Sequence, residues 1–335
     1  MNGNIDDNKP SFENLEKYLC AYSPKMKEVT TEIRLYAPLD FPVVIEGESG
    51  TGKEMVATAI HELSGRSPYV VINMAEGPET LFESSLFGHR KGSFTGADQD
   101  RTGYIGQAKD GTIFMDEINS MPRALQPKLL RVLENGTYWP VGSSRIEKTT
   151  ARFIFSSNES LKSLRDSGGL REDIFYRLGR IIRIPTLRER TEDIPFIVDR
   201  LVRIAKEKID RASCLATKKR SGDRVFPSVS DSAMNRILSY HWPGNVRQLK
   251  MVIERAVLVC QDEKILPENL DLPYEEKFVE EFDSAMEKFS AEYFDRVGRI
   301  AGNNIKIGMK LTGMSETTYR RKMRRFGKRE FLQDR

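Results

Sequence analysis

The sequence predicts an α/β protein: a mostly parallel, five-stranded sheet covered by helices on both faces, then an all-helical part and a basic helical end. Three observations carry this. Five short apolar runs alternate with helical patterns up to about residue 187, the arrangement a crossover-connected parallel sheet needs. After Arg188 the strand-like runs stop and only helical patterns follow. A glycine-rich loop stands between the first apolar run and the next helix, where backbone N–H groups can meet phosphate.

Residues 1–22 read as a short leader, and Met1–Pro10 is acidic and polar, unlike a signal or transit peptide. Ser23-Pro24 offers an N-cap and a first-turn proline for a helix reaching about Tyr36. Val43–Glu46, Tyr69–Asn73, Thr112–Asp116, Arg152–Ser156 and Arg180–Ile184 read as buried strands, with helices such as Lys53–Leu63 between them. The α/β part therefore spans residues 23–187, and a helical subdomain with a loop at 219–230 spans 188–266. Pro267 and Pro273 mark a linker at 267–276, and a last helical unit occupies 277–335.

At 335 residues the chain can hold one large domain and one or two smaller ones. Apolar residues make up 39% and charged residues 30%, an ordinary soluble composition. No run approaches the ~18 apolar residues of a membrane helix. Cys20, Cys214 and Cys260 lack metal-ligand spacing and read as unpaired thiols of a reducing, cytoplasmic compartment. Three histidines give little support to a metal centre or a histidine base. The net charge of +4 is uninformative, but Gly302 to Arg335 holds ten Lys/Arg against three Asp/Glu. On charge alone that end is either a solvated tail or a nucleic-acid surface.

Gly47-Glu48-Ser49-Gly50-Thr51-Gly52-Lys53 follows a strand and opens a helix, the context of a phosphate loop. Its glycines let the backbone wrap the anion, and Lys53 adds charge for the outer phosphates. Glu54 stands where a magnesium-binding hydroxyl is usual. Downstream, Gly111-Thr112-Ile113-Phe114-Met115-Asp116-Glu117 is an apolar strand ending in two acids. Asp116 is placed to hold Mg2+, directly or through water, and Glu117 to polarise an attacking water. A strand-ending Asp-Glu alone reads as a helix cap; with the glycine loop it reads as a nucleotide site.

The glycine loop with Glu54, then Glu83-Ser84-Ser85-Leu86-Phe87-Gly88-His89, resembles the central domain of sigma-54-dependent transcription activators, a clade of AAA+ ATPases. Gly92-Ser93-Phe94-Thr95-Gly96-Ala97 resembles the family's GAFTGA loop, with Ser93 for the first alanine. The resemblance implies an AAA+ P-loop fold with a helical lid, and a loop that projects from a ring and touches the sigma factor. In that family Glu follows the loop lysine, so Glu54 fits. By the same resemblance Asn73 is the switch asparagine that holds Glu117 away from water, and Asn158 the first sensor. Arg171 and Arg177, in Leu170–Leu178, match arginine fingers acting across a subunit boundary. Arg247, in Trp242-Pro243-Gly244-Asn245-Val246-Arg247, matches the second sensor. Leu133–Ser143 resembles the second pore loop that supports the first. Ser85, Arg90 and Met74 depart from the family pattern, the first two beside the sigma-contacting loop.

Asn303 to Phe326 resembles a Fis-type helix-turn-helix. Gly313 suits the turn, Ser315 caps the second helix, and Ile305, Met309, Leu311, Met314, Tyr319 and Met323 supply a small core. Thr317, Thr318, Arg320, Arg321, Arg324 and Arg325 then fall on the outer face of the recognition helix, for phosphates and major-groove edges. Gly308-Met309 replaces a usual pair of alanines, and the helix at about Lys277–Arg299 is expected to supply a dimer contact.

The implied function is a sigma-54-dependent activator. It binds upstream DNA, forms a ring and uses ATP hydrolysis to remodel the closed complex of sigma-54 RNA polymerase. The ring is expected to be a hexamer of this chain, or one shared with a related activator. A nucleotide-binding regulator of ordinary polymerase lacks a GAFTGA-like loop, and a general AAA+ remodeller lacks the helix-turn-helix. The leader is too short for a receiver or sensing domain, as in stripped-down activators of this family. Control by expression level, a partner activator or an inhibitory protein in trans is therefore expected.

Overall fold

The computed structural model describes residues 9–76, 79–217, 227–260, 262–273, 282–301 and 304–326. Most of the loop expected at 219–230, residues 274–281 of the expected linker and helix, Asn303 and the Cys214 side chain lie outside that description. The chain divides into two units, Met1–Leu272 and Pro273–Arg335.

In the first unit β1 (Val43–Glu46), β2 (Tyr69–Asn73), β3 (Thr112–Asp116), β4 (Arg152–Ser157) and β5 (Arg180–Arg183) form one sheet in the order β2-β3-β4-β1-β5. Every pairing is parallel. Successive side chains alternate between the faces, and both faces are buried. Val43, Ile45, Phe114 and Ile154 pack with Met26, Ile33, Val56 and Ile60 of the helices Pro24–Tyr36 and Lys53–Ser64. Val44, Ile113, Met115, Phe153 and Phe155 point the other way, into a core with Leu86, Ile105, Leu129 and Ile174. That division explains why the strands read as continuous apolar runs.

The lid is not wholly helical. Its core gathers Ile194, Leu201, Ile237, Leu249 and Ile253 around a fully buried Trp242, whose Nε1 donates to the Ile237 carbonyl at 2.8 Å. Ser228–Val229 also pairs in parallel with Lys264–Ile265, a bridge too short to show as a periodic run. Part of the expected linker belongs to this core: Leu270 and Leu272 are buried in it, and Arg236 donates to the Pro267 and Leu272 carbonyls.

The leader needs a larger correction. Leu15–Leu19 forms a helix whose Leu15, Tyr18 and Leu19 are buried with the Pro24–Tyr36 helix. Asp193, wholly buried at the lid entry, accepts the Tyr22 and Ser23 N–H groups at 2.7 and 2.6 Å and the Ser23 hydroxyl at 2.8 Å. The segment is too short to display helical periodicity, so its burial was invisible locally.

In the second unit Phe282–Ala301, Ile305–Thr312 and Glu316–Phe326 are helices. Gly313 sits at φ +66°, the left-handed turn expected of it. Tyr319 and Met323 are core residues, but the first helix supplies Phe294 and Val297 as well, and Leu311 is 47% exposed rather than buried. A Cβ added to Gly308 would lie 2.3 Å from Cζ and Oη of Tyr319, so the tyrosine ring occupies the space a side chain would need.

That contact decides the sign of a substitution. Alanine for glycine inside a helix gains roughly 0.5–1 kcal/mol, whereas overpacking costs typically about 1–3 kcal/mol. Gly308→Ala should therefore destabilise the C-terminal unit by about 1–2 kcal/mol, read as a lowered midpoint in thermal unfolding. Tyr319→Leu in the same chain should recover much of the loss.

Candidate nucleotide site and projecting loops

Because the strands are parallel, their carboxyl ends share one edge of the sheet, where ligands bind in open α/β folds. The register sets Asn73 opposite Asp116 and Glu46 opposite Ser157. The Gly47–Gly52 loop leaves this edge from β1 and enters the Lys53–Ser64 helix. Lys53 Nζ donates to the carbonyls of Gly47 at 2.8 Å and Glu48 at 3.2 Å. Burial pushes this ammonium below its ordinary pKa, while the carboxylates of Asp116 and Glu117 act in the opposite direction. All three groups thus share one site.

Ser156, opposite the end of β3, organises the acids. Its hydroxyl donates to Asp116 and accepts the Glu117 N–H at 3.0 Å. Glu117 sits at φ +57°, a left-handed conformation that costs a non-glycine residue about 1–2 kcal/mol. Such strain persists where surrounding contacts impose it, often at functional positions.

The lid grips the same loop. Arg188 makes a two-point pair with Glu48 at 2.5 and 3.1 Å, and this guanidinium, then Asn245, lowers the Glu48 pKa. Asn245 is wholly buried. Its amide donates to Glu48 and to the Ser49 carbonyl at 3.1 and 3.0 Å, while its oxygen accepts the Leu187 N–H at 2.8 Å. Arg247 donates to the Ser49 hydroxyl at 3.0 Å and, through its backbone N–H, to the Gly50 carbonyl at 3.3 Å. Arg190 donates to the Thr51 carbonyl at 2.7 Å. Gly50, at φ +78°, has no alternative here, because a Cβ would meet the Gly244 carbonyl at 2.5 Å. Glu54 is exposed at the start of the helix.

Beside Thr51 and Gly52 an apolar cavity of about 260 Å³ opens, lined by Leu19, Cys20, Val56, Ile184, Leu201 and Ile204 among others. Sequence reasoning missed this cavity, since one wall comes from the supposed leader. It also gave no role to Arg188, Arg190, Asn245 or Ser156; the sole local signal was an asparagine at a helix start.

Other expected residues are placed less directly. The Asn73 carboxamide donates to Glu76 at 3.0 Å and accepts from the Ala75 N–H at 2.9 Å, engaging its own turn rather than Glu117. Asn158 is exposed just beyond β4. Arg171 makes a two-point pair with Asp173 and Arg177 lies 3.4 Å from Glu134, both on the exposed surface of their own helix pair.

Gly92–Ala97 is the tip of an antiparallel hairpin in which Gly88 and His89 pair with Thr102 and Arg101. The tip closes on itself: Gly92 N–H donates to the Ala97 carbonyl at 2.8 Å and Ala97 N–H to the Phe94 carbonyl at 3.0 Å. Phe94 is 37% exposed and meets His89 edge-on at 5.0 Å. A second hairpin, Thr137–Tyr138 with Glu147–Lys148, braces the first. Arg90 spans the two, pairing with Asp100 at 2.7 Å and Glu147 at 3.2 Å, and Ser93 packs on Gly142. The Arg90 departure thus has a structural role; Ser85 gains no such account.

On the Glu316–Phe326 helix Thr317, Arg321 and Arg324 are exposed. Arg320 instead pairs with Glu316 at 3.0 Å and Arg325 with Glu287 at 2.6 Å, and Thr318 accepts from the Ser315 hydroxyl at 3.0 Å. Two of the expected DNA-facing arginines are therefore held in ion pairs.

Comparison with known proteins agrees with this geometry. Residues 19–184 match the Sigma-54 interaction domain and residues 188–287 the AAA+ ATPase lid domain. The chain is 37% identical over 348 residues to the DNA-binding transcriptional regulator NtrC of Azospirillum brasilense, covering 91% of this chain and 69% of that protein. It is 42% identical over 257 residues to the Nif-specific regulatory protein of Azotobacter vinelandii, covering 76% of this chain and 46% of that one. The chain thus spans about half to two thirds of the length of these relatives. Among solved structures, NtrX from Brucella abortus in complex with ATP is similar at a TM-score of 0.63 and 29% identity, over 92% of this chain and 69% of that one.

The lid entry carries a pH-dependent contact. Glu189 accepts the Thr186 hydroxyl and N–H at 2.7 and 2.9 Å and pairs with Lys25, which brings its pKa down to about 2. A depressed folded-state pKa gives stability that is complete above the unfolded value near 4.5 and fades as pH falls towards 2. The carboxylate is 45% exposed, so solvent screening leaves a contribution of about 1 kcal/mol. Glu189→Gln should lower the urea midpoint accordingly at pH 7, and the gap should narrow once pH drops below about 4.5.

Proposed function

The chain belongs to the sigma-54-dependent transcription activators, AAA+ proteins of the enhancer-binding type, and from that premise we propose that it is an ATP-driven remodeller of sigma-54 RNA polymerase. The observation that carries this reading is the gathering of Lys53, Asp116 and Glu117 at one sheet edge, in a chain that also projects the Gly92–Ala97 tip.

The Gly47–Gly52 backbone and Lys53 bind the phosphates of ATP, and the apolar cavity beside Thr51 takes the base. Asp116 offers the hard oxygen ligand that Mg2+ favours, held in place by Ser156, and the ion supplies charge neutralisation at the phosphates. Glu117 orients and polarises the attacking water, its backbone turned off the strand by the Ser156 contact. Arg247 reports the nucleotide to the lid through Ser49. Arg171 and Arg177 act on the site of a neighbouring subunit, which makes the working form a ring, a hexamer of this chain or one shared with a related activator. Forming it would require them to exchange their present carboxylate partners for phosphate. Asn158 senses the terminal phosphate, and Asn73 serves as the switch once it leaves its turn.

Gly92–Ala97 contacts the sigma factor, with Phe94 as an aromatic anchor on a tip fixed by the second hairpin. The C-terminal unit holds upstream DNA, with Thr317, Arg321 and Arg324 directly available and Arg320, Arg325 and Thr318 positioned by their partners.

Open-complex formation on a sigma-54 promoter tests the whole reading. Opening should occur with ATP and fail with a non-hydrolysable analogue; opening with both would remove hydrolysis from the mechanism. Lys53→Ala should abolish nucleotide binding in a titration. Glu117→Gln should keep binding while turnover falls by about 10²–10⁴, and normal hydrolysis would overturn its assignment. Thr95→Ala should keep ATPase activity yet lose polymerase engagement, measured as retention of the sigma factor on the activator.

A further inference from the structure

Arg190 is the most deeply buried of the cations that line the mostly apolar cavity beside the Gly47–Gly52 loop. Only 2% of it is exposed, and it lies where two short 3-10 turns, Leu187–Glu189 and Thr191–Asp193, meet at the lid entry. Its Nη2 is committed to the Thr51 carbonyl. Its Nε is buried and has no hydrogen-bond partner among the described residues. Asp193, whose charge acts on Arg190, already serves Tyr22 and Ser23 with both oxygens. Burial pushes the Arg190 pKa down, the sign of a cation held in a poorly solvated place.

A buried donor left unpaired is costly, and native structures seldom keep one unless a ligand or water completes it. Arg152 carries a similar orphan Nε, but its guanidinium closes the end of a helix through the Tyr36 and Ala37 carbonyls. Arg190 differs in lining the 260 Å³ cavity that opens beside the phosphate loop. Most of the other walls are apolar side chains suited to the faces of a planar ring; of the remaining cations in the lining, Lys208 and Lys250 are exposed, and Arg200 donates to the Tyr18 carbonyl and Lys208 to Glu254. Among these groups Arg190 alone combines near-complete burial with an unpartnered donor, and ligand sites fix orientation with a few such well-placed polar groups.

We propose that Arg190 is a base-reading residue: its unpaired Nε–H donates to a ring nitrogen of the purine whose phosphates the Gly47–Lys53 loop holds. The inference rests on the nucleotide reading of that loop. One guanidinium then touches base and phosphate loop together, so filling the cavity stiffens Thr51 and the lid entry in one event. A triphosphate without a base cannot do this.

The test uses the full chain and calorimetric titration with Mg2+ and ATP, then with its 1-deaza, 3-deaza and 7-deaza analogues, each lacking one ring nitrogen. Wild-type protein should bind one analogue about tenfold more weakly than ATP. In Arg190→Met, similar in volume but without the donor, ATP should weaken by a comparable factor and that analogue should lose nothing further. Equal binding of ATP and all three analogues by the wild type overturns the proposal while leaving the nucleotide site intact, and needs no variant to fold. Failure of the wild type to bind ATP at all would instead remove the nucleotide reading beneath it. An analogue penalty that persists unchanged in Arg190→Met would assign the ring contact to another group and also defeat the proposal.

Discussion

Parallel pairing of five strands, the three central ones buried on both faces, is the constraint on which the rest of the molecule depends. A sheet covered by helices on either side has no room for polar side chains along its strands, so polar groups collect where the strands end. Parallel direction brings those ends to one edge. Glu46, Asn73, Asp116 and Ser157 emerge there in register, and the Gly47–Gly52 loop starts from the same line. The chemistry is concentrated because the fold leaves it one place to go.

The second determinant is the seam between that edge and the lid. Arg188, Arg190, Asn245 and Arg247 reach the loop with hydrogen bonds to Glu48, Ser49, Gly50 and Thr51. Several of these end on loop carbonyls, so the lid fixes the orientation of the loop backbone. Asp193 extends the seam to the N-terminal segment through Tyr22 and Ser23. Loop, lid entry and N-terminal segment therefore bear on one another directly, and residues of all three line the neighbouring cavity.

The projecting hairpin follows a different logic. Its tip contributes little to any core; glycines at Gly92 and Gly96 set its shape and Arg90 ties its base to the second hairpin. The base is tied by ion pairs while Phe94 stays exposed at the end. In the C-terminal unit the match of Gly308 with Tyr319 plays a comparable local role, setting how closely two short helices approach.

The amino-acid sequence by itself determined the five strands, the glycine loop after β1, the two acids at the end of β3 and the turn at Gly313. Each is written in neighbouring residues, through alternation of apolar side chains, glycine's freedom or the stopping of a strand. Tertiary structure alone decided that Leu15–Leu19 belongs to the core, that Asn245 and Arg190 hold the loop, and that Arg171, Arg320 and Arg325 sit in ion pairs. The Arg190 contact joins residues 139 positions apart and the Asn245 contact to Glu48 residues 197 apart. A short polar side chain has no periodicity to announce such a partner. Its role is fixed only when packing of the two cores brings the distant backbone within hydrogen-bond reach.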